Sequence, residues 1–593
     1  MSLYGYYLPI EKHKDKIIEV VEKSKICVIK GPTGCGKSTY IPYLLSSEGS
    51  RIAIVEPRRM AVMSLYKTLS EVIANVGYKM RFSKHGLKNA RVVIYTDGSF
   101  LNEMDKYEFD YVIIDEVHER SIRTDIILGL IRSMIGRMSG KIILMSATVD
   151  VKKICRYFDA NVLEISGTPH PVRTEYLQES TSDYLVEAYC RIKKIVSGCH
   201  GIEDVNGRDI LVFLPGEEDI NELCLMLRRI PVVKVYKVFS ALGDNEQSKI
   251  YEESKLIKVI LSTNICEVSL TIPGVGYVID TGLVKVKIYD AMNYFGIQAI
   301  SKESANQRLG RCNRTGPGVC YRLYTESAYE EMPNQQTPEI CRSDLSQVVL
   351  QLLSHGKNPL TFEFLDYPTC ANIVNAIKFL VAKRCIEVDG IGNEDVSRIK
   401  MKVTGYGRTV LRHPFDTHLA HFYQQTIESG VGYFGSIVVS LAGQEGYSFL
   451  KCKEIECKSD LEFLIKLFEG YIDSEDRKQY CVKHGVSMKC MEVARQTFGS
   501  LRRCKDGDIE MVESVFSRAY QHNACERVGD GSYRHVNSGE IVWIHPDSRF
   551  FKRRDRFIVF VDVFYTSKAY ARIVGKYFSN NLSAINIDSN RSA

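Results

Sequence analysis

An eight-residue run, GPTGCGKS at 31–38, limits this chain more than any other feature. It has the form G-x-x-x-x-G-K-[ST]. It stands between a β-branched run, KICVIK (25–30), and a stretch with helical patterning. Glycines let the backbone curl until several N–H groups face one point, and the helix starting there adds its positive dipole end. Such a loop holds phosphate at the end of a strand, so it commits the chain to an α/β fold around it. On this reading Gly31, Thr33, Gly34, Cys35, Gly36 and Thr39 form the nucleotide cradle. Lys37 brings a point charge to the β/γ-phosphates, and the Ser38 hydroxyl can ligate Mg²⁺.

The loop needs an acidic partner on a neighbouring strand, and YVIIDEVH (111–118) supplies one. Asp115 is placed to hold the metal, Glu116 to polarise an attacking water. Around these motifs, short apolar runs alternate with amphipathic stretches: 25–30, 51–57, 91–96, 111–115 and 141–147, then 209–215, 232–239, 258–263, 275–280 and 319–325. Alternation of that kind means βαβ units. Two series of about 160 residues imply two parallel-sheet domains, with GTPHP (167–171) as the link. From 338 to 500 the pattern is mostly helical, and from about 525 short β-like runs return.

Composition adds exclusions. The chain has 593 residues, 78 Lys+Arg against 72 Asp+Glu, and 45% hydrophobic residues. That is globular, and too mildly basic to argue for a nucleic-acid partner by itself. Its 18 cysteines include no C-x-x-C pair, the start turns charged before any apolar run, and no stretch approaches a membrane span. A reduced intracellular protein with buried thiols is expected. Cys481, His484 and Cys490 are the best metal cluster, with spacing that fits no zinc module.

The segment QRLGRCNRTG (307–316) separates the classes of phosphate-loop enzyme. Arg308, Arg311 and Arg314 recur every three residues, which puts them near one face of a helix. Arginines from a second domain can stabilise charge on a γ-phosphate bound to the first, although a solvated basic face has the same pattern. With this segment the chain resembles the DEAH-box helicases of superfamily 2, in the DEVH spelling. GPTGCGKS, EPRR (56–59), TDG (96–98), DEVH (115–118), SAT (146–148), LVFLPGEED (211–219), STNICEVSLT (262–271) and QRLGRCNRTG follow the family's motif order. MPNQQTPEICRSDLSQVVLQL (332–352), VTGYGR (403–408) and GEIVWIHPDSRFF (539–551) extend the likeness beyond the core.

The resemblance implies RecA-like domains at 1–162 and 163–330, a winged helix at 331–404, a helical bundle or ratchet at 405–520, and an oligonucleotide-binding barrel at 521–593. It implies a catalytic set of Glu116, His118, Gln307, Arg311 and Arg314, with Ser38 and Asp115 on Mg²⁺ and Tyr251 stacking on the base of ATP. RNA-backbone contacts fall on Arg58, Arg59, Thr96, Gly98, Thr263 and Asn264; Ser146, Thr148 and Ser269 couple them to nucleotide state. A hairpin within 285–301 would carry an aromatic tip, Tyr294–Phe295, as wedge or strand guide, or else as an ordinary sheet-edge hairpin. The basic stretch RFFKRRDRF (549–557) suits RNA or an acidic partner, with a solvated loop as the alternative.

Some positions depart from the family pattern. Lys67–Thr68 stand where an arginine would clamp the base, which implies weak base selectivity. Glu56 and Pro215 replace a neutral and a hydroxyl residue, Val268 a threonine, and Asn313 a glycine. The expected activity is ATP-dependent, 3′–5′ movement on single-stranded RNA in ribonucleoprotein remodelling, in pre-mRNA splicing or ribosome assembly. A DNA-directed helicase and a slowly hydrolysing RNA-binding scaffold stand as alternatives. Expected partners are ribonucleoprotein particles and a glycine-patch-type activator, with no membrane; the expected state is a monomer, in the nucleus, with nucleolus or cytoplasm as alternatives.

Overall fold

The computed structural model describes residues 8–578, apart from 33, 47–48, 82, 107, 148–150, 166–169, 199–208, 241, 243–245, 247–248, 269–271, 291, 315, 390–397, 445–448, 451, 453, 502–506 and 566–567. These residues form two compact units. One contains residues up to 285 with 297–341 and 362–368; the other contains 286–296, 342–361 and 369 onward.

The first unit holds two parallel sheets. β1 (Ile26–Lys30), β2 (Ile52–Glu56), β3 (Val76–Met80), β4 (Ser83–His85), β5 (Val92–Thr96), β6 (Tyr111–Ile114), β7 (Lys141–Ser146) and β8 (Asn161–Glu164) make the first. Their order is β4-β3-β5-β2-β6-β7-β1-β8, and only β4 runs antiparallel. β9 (Val172–Leu177), β10 (Asp209–Phe213), β11 (Val233–Val238), β12 (Ile257–Ser262) and β13 (Val275–Asp280) join the second sheet. The hairpin strands β14 (Leu283–Asp290) and β15 (Met292–Ala299) follow, then β16 (Gly318–Thr325). The second sheet reads β11-β12-β10-β13-β16-β9 and is parallel throughout. Central strands are buried on both faces, every residue of β2, β5 and β10 included, because helices cover both sides. This is why they read as continuous Val/Ile/Leu runs in the sequence.

The sheet boundary differs from the expected 162/163. β8 pairs in parallel with β1 through Lys30↔Glu164, so the first sheet ends there and the second begins at Val172. Residues 331–341 and 362–368, placed in sequence with the winged helix, pack with the parallel sheets. There Asp366 takes a 2.6 Å hydrogen bond from Arg120, and the Phe362 ring lies where a side chain on Gly129 would be.

In the second unit a short antiparallel pair, β17 (Ile386–Asp389) and β18 (Lys400–Val403), accompanies the helices Ser346–Ser354 and Cys370–Ala382. Helices from Gly405 to Ala519 form the bundle. Their starts are set by Thr404, Asp416, Ser459, Asp476, Ser487 and Asp508, each accepting a backbone N–H of the first turn. β19 (Cys525–Arg527), β20 (Ser532–His535), β21 (Ile541–Ile544), β22 (Phe557–Tyr565) and β23 (Ala569–Lys576) then close a small barrel, since β19 pairs with β22 and β22 with β23.

The hairpin corrects another expectation. β14 ends at Asp290 and β15 begins at Met292, so Tyr294–Phe295 are not its tip. They lie along β15, paired with Val563 and Phe564 of β22, and the Tyr294 ring packs 5.0 Å from that of Tyr565. The basic stretch is also partly internal. Arg549 donates to the carbonyl of Leu450 and lies 3.6 Å from the Phe463 ring, while Arg553 pairs with Asp555; Arg556 stays exposed. No described helix is long and apolar enough to cross a membrane. Described cysteines are free thiols, and among the described residues no group of three or more His, Cys, Asp or Glu could hold a metal.

Candidate nucleotide site between two parallel sheets

The phosphate loop follows β1 and ends where the helix Lys37–Ser46 begins. Gly34 and Gly36 have φ of 82° and 101°, a region L side chains rarely adopt. Gly31 is fixed by crowding instead. A Cβ there would lie 2.9 Å from that of Ile165, and its N–H donates to Ser146 on β7. Cys35 is buried, and the Thr39 hydroxyl donates to the Gly36 carbonyl at 3.2 Å. Thr33 lies outside the described residues. The buried Lys37 ammonium folds into the loop, donating to the carbonyls of Gly31 at 2.6 Å and Pro32 at 3.0 Å.

The second motif meets the first directly. Ser38 Oγ donates to Asp115 Oδ2, and Asp115 Oδ1 accepts the N–H of Glu116 at 2.8 Å. A hydroxyl and a carboxylate converging beside a phosphate cradle are the hard oxygen donors that suit Mg²⁺. Glu116 is left-handed, φ 49°, and its Oε2 is buried without a hydrogen bond. Burial, then the charges of Asp115 and Glu119, push its carboxyl up to about 8 against the pull of Lys37 and Arg311. His118 is held neutral. Burial, followed by Lys37, Arg58 and Arg311, brings its imidazole down to about 3. Its Nδ1 accepts from Ala147 N–H at 3.5 Å and lies 3.4 Å from Glu116 Oε2. Ser146 is buried at the end of β7; Thr148 and Ser269 lie outside the described residues.

The second sheet supplies the cations. Gln307 sits half-buried on the helix Lys302–Leu309, capped by Ser301. That helix stops before Arg311, so the three arginines do not share a helical face. Arg308 turns inward instead. It bonds Glu267 at 3.0 Å, Asp280 at 2.7 Å and the Leu283 carbonyl at 3.1 Å, over the Phe213 ring. Arg311 is buried and donates to the Glu267 carbonyl. Burial and then Arg314 lower it to about 9; burial lowers Arg314 to about 10, opposed by Glu116 and Tyr251. Arg311 and Arg314 therefore sit within electrostatic reach of Glu116 across the two sheets. Tyr251, 46% exposed on the turn Lys249–Tyr251, is close enough to feel Arg314.

Residues expected on RNA are placed unevenly. Arg58 is committed to protein: Nε bonds Glu119 at 3.0 Å and Nη1 the Ile265 carbonyl at 3.3 Å. Exposed Arg59 donates to the Arg81 carbonyl, and buried Thr96 to Ser99 Oγ. Gly98 leaves room for Arg123, whose Cδ lies 3.0 Å from where a Cβ would be. Thr263 and Asn264 start the helix Ile265–Val268, and Asn264 is exposed. The sequence reading missed Glu119 and Glu267, which fix the arginines. It noted Glu56 only as a departure; Glu56 is buried, its carboxyl raised well above the usual range by burial and then by Asp115.

Comparison with known proteins agrees with this arrangement. A DEAD/DEAH box helicase family model matches residues 11–156, and a helicase conserved C-terminal domain model matches 190–316. The chain is 31% identical to ATP-dependent RNA helicase DHX33 of Mus musculus, over 96% of this chain and 88% of that protein. It is 30% identical to the pre-mRNA-splicing factor ATP-dependent RNA helicase prp22 of Schizosaccharomyces pombe, over 96% of this chain and 52% of that longer protein. A crystal structure of the E. coli DExH-box NTPase HrpB superposes with a TM-score of 0.76, covering 98% of this chain and 69% of that one at 22% identity, and so speaks for the fold alone. With an ordered set of motifs, paired RecA-like sheets and relatives matched along nearly the whole chain, the protein belongs to the DEAH-box family of ATP-dependent RNA helicases.

Proposed function

We propose that the chain moves 3′–5′ along single-stranded RNA, driven by ATP hydrolysis with Mg²⁺, and remodels ribonucleoprotein complexes. One observation carries the site assignment. Arg311 is a buried guanidinium whose affinity for protons Arg314 lowers further, and both arginines lie within electrostatic reach of Glu116. Cations crowded in this way gain most from a polyanion placed between them.

On this reading Lys37 leaves the Gly31 and Pro32 carbonyls for the β/γ-phosphates. Glu116 takes a proton from the attacking water. Arg311 and Arg314, with Gln307, stabilise the charge that develops on the transferred phosphoryl group. His118, neutral and bonded to Ala147, passes the state of Glu116 to the strand end at Ser146. Ser38 and Asp115 would hold Mg²⁺, which when bound neutralises phosphate charge as a Lewis acid. Tyr251 offers one stacking face to the base, with no arginine opposite, so ATP and GTP should serve almost equally. Asn264, Thr263, Arg59, Thr96 and Gly98 are the proposed backbone contacts.

The S. pombe relative, named as a pre-mRNA-splicing factor, supports ribonucleoprotein remodelling as the setting; a nuclear location, a monomeric state and a glycine-patch-type activator belong to the same proposal. ATPase assays with matched single-stranded RNA and DNA test the substrate, and strand displacement from 3′- or 5′-tailed duplexes tests direction. Stimulation by DNA alone, or unwinding only of 5′-tailed duplexes, removes the assignment.

A further inference from the structure

A cavity of about 570 Å³ opens inside the second unit, away from the phosphate loop. The hairpin β14–β15, the helix Cys370–Ala382, the start of the helix Thr417–Glu428, the turn Gln521–Asn523 and the barrel each give it a wall. Its volume is in the range of small-molecule sites, roughly 300–1,000 Å³.

One wall is aromatic. The Phe379 ring lies 4.3 Å from His418, His418 lies 4.9 Å from His522, and Tyr520 stacks on His522 at 5.8 Å and 26°. His418 Nδ1 and His522 Nε2 are 3.1 Å apart and use each other, which leaves His522 Nδ1 buried without a partner. Burial, then His418 and Lys383, holds that imidazole neutral. Tyr520 is 1% exposed, and its Oη also lacks a partner. Unpaired buried polar groups are rare in folded proteins, and both of these side chains line the cavity.

Three lysines, Lys287, Lys378 and Lys383, line the cavity against three aspartates, and of the aspartates Asp562 is paired with Arg572, which leaves a small excess of positive charge. Asp344 accepts from Ser346, and Asp416 from the N–H groups of His418 and Leu419. Among the lining cations, Lys378 is exposed at the rim, and buried Lys383 donates to the Ala519 carbonyl, with two ammonium protons remaining.

We propose that this cavity binds a nucleoside monophosphate, its base stacked on the Phe379–His418–His522–Tyr520 wall and its phosphate on Lys378 and Lys383. Stacking rings accept any base, and polar edges at Tyr520 and His522 meet the base's own donors and acceptors. The same unit of chemistry exists free or within RNA, and we assign the free form because a cavity of about 570 Å³ is of small-molecule size.

The test uses the full chain carrying Lys37→Ala, which silences the phosphate loop, and titrates AMP and UMP by calorimetry. Saturable binding is expected. Lys378→Glu should weaken it by about tenfold or more, as should Phe379→Ala, and Tyr520→Phe should weaken it with an unchanged circular dichroism spectrum. The proposal falls if neither nucleotide binds at about 5 mM, or if Lys378→Glu leaves affinity unchanged. Equal affinity for adenosine or for inorganic phosphate also overturns it. So does photocrosslinking of Phe379 or Tyr520 by a 4-thiouridine oligonucleotide where the mononucleotides do not bind.

Discussion

Arg58 and Ile265, 207 positions apart, are joined by a 3.3 Å hydrogen bond that spans the two parallel sheets of the first unit. The same guanidinium bonds Glu119, whose carboxyl burial raises toward neutrality and Arg58 pulls back. Arg58→Ala strands that carboxyl and should cost about 3 kcal/mol, whereas Arg58→Met with Glu119→Leu removes both charges and should recover most of it. Urea denaturation of the three proteins measures this. An equal loss in the single and double variants would show that Glu119 is not what makes Arg58 matter.

The arginines after the helix Lys302–Leu309 divide by role. Arg308→Ala deprives buried Glu267 and Asp280 of their cation, so its loss should appear in the melting temperature. Arg314→Ala leaves the melting temperature near the parent value and cuts turnover by about 10³ or more on the proposed reading. Glu116→Gln keeps ATP binding and loses about 10²–10⁴ in turnover. ATPase rates and melting curves, taken together, separate these outcomes.

What the sequence made legible was local. A glycine loop between strand and helix, and an Asp-Glu at the end of the apolar run 111–115, each need only neighbours in sequence, and Ser38 does meet Asp115. Partners 61 or 207 positions away were not legible, so Arg58 read as an RNA-backbone contact. Spacing alone put Arg308, Arg311 and Arg314 on one face, although Gly310 between them is a helix-stop residue and does end the helix before Arg311. The aromatic pair Tyr294–Phe295 looked like a tip since β22, which it pairs with, lies more than 260 residues later.

Arg549 illustrates the same point in the second unit. Asp460, at the start of the helix Asp460–Asp473, accepts from Ser548 Oγ, Arg549 N–H and Val574 N–H, and so ties bundle to barrel. Asp460→Ala leaves three buried donors unpaired and should cost about 3 kcal/mol or more. Arg556→Ala, at an exposed position, should stay within about 0.5 kcal/mol. Thermal denaturation of the two variants checks the contrast.

Acid should weaken the second unit through His421. Its Nδ1 lies 2.7 Å from Tyr406 Oη, and burial, then Lys383 and His418, moves the imidazole from 6.5 to about 3. In the unfolded chain the ring takes its proton near 6.5; in the folded chain it stays neutral until far lower. Its stabilising contribution is therefore full above 6.5 and is lost as pH falls toward 3. Between pH 6.5 and 5 one such imidazole is worth about 2 kcal/mol. Urea midpoints at pH 7.5 and 5 should fall more for the parent than for His421→Asn; equal falls would exclude this ring as the cause.

Two glycines of the VTGYGR segment give opposite expectations. A Cβ on Gly407 would lie 2.0 Å from the Cys385 carbonyl oxygen, because the helix Gly405–Arg412 crosses the backbone before β17 that closely. Backbone cannot yield as a side chain can, so Gly407→Ala should cost about 3 kcal/mol or more. Gly405, two residues earlier in the same helix, has nothing within 4 Å of the added carbon and no left-handed backbone. Gly405→Ala should stabilise by about 0.5 kcal/mol through lost freedom of the unfolded chain. If both substitutions shift the denaturation midpoint in the same direction, the close approach at Cys385 is not what demands glycine at 407.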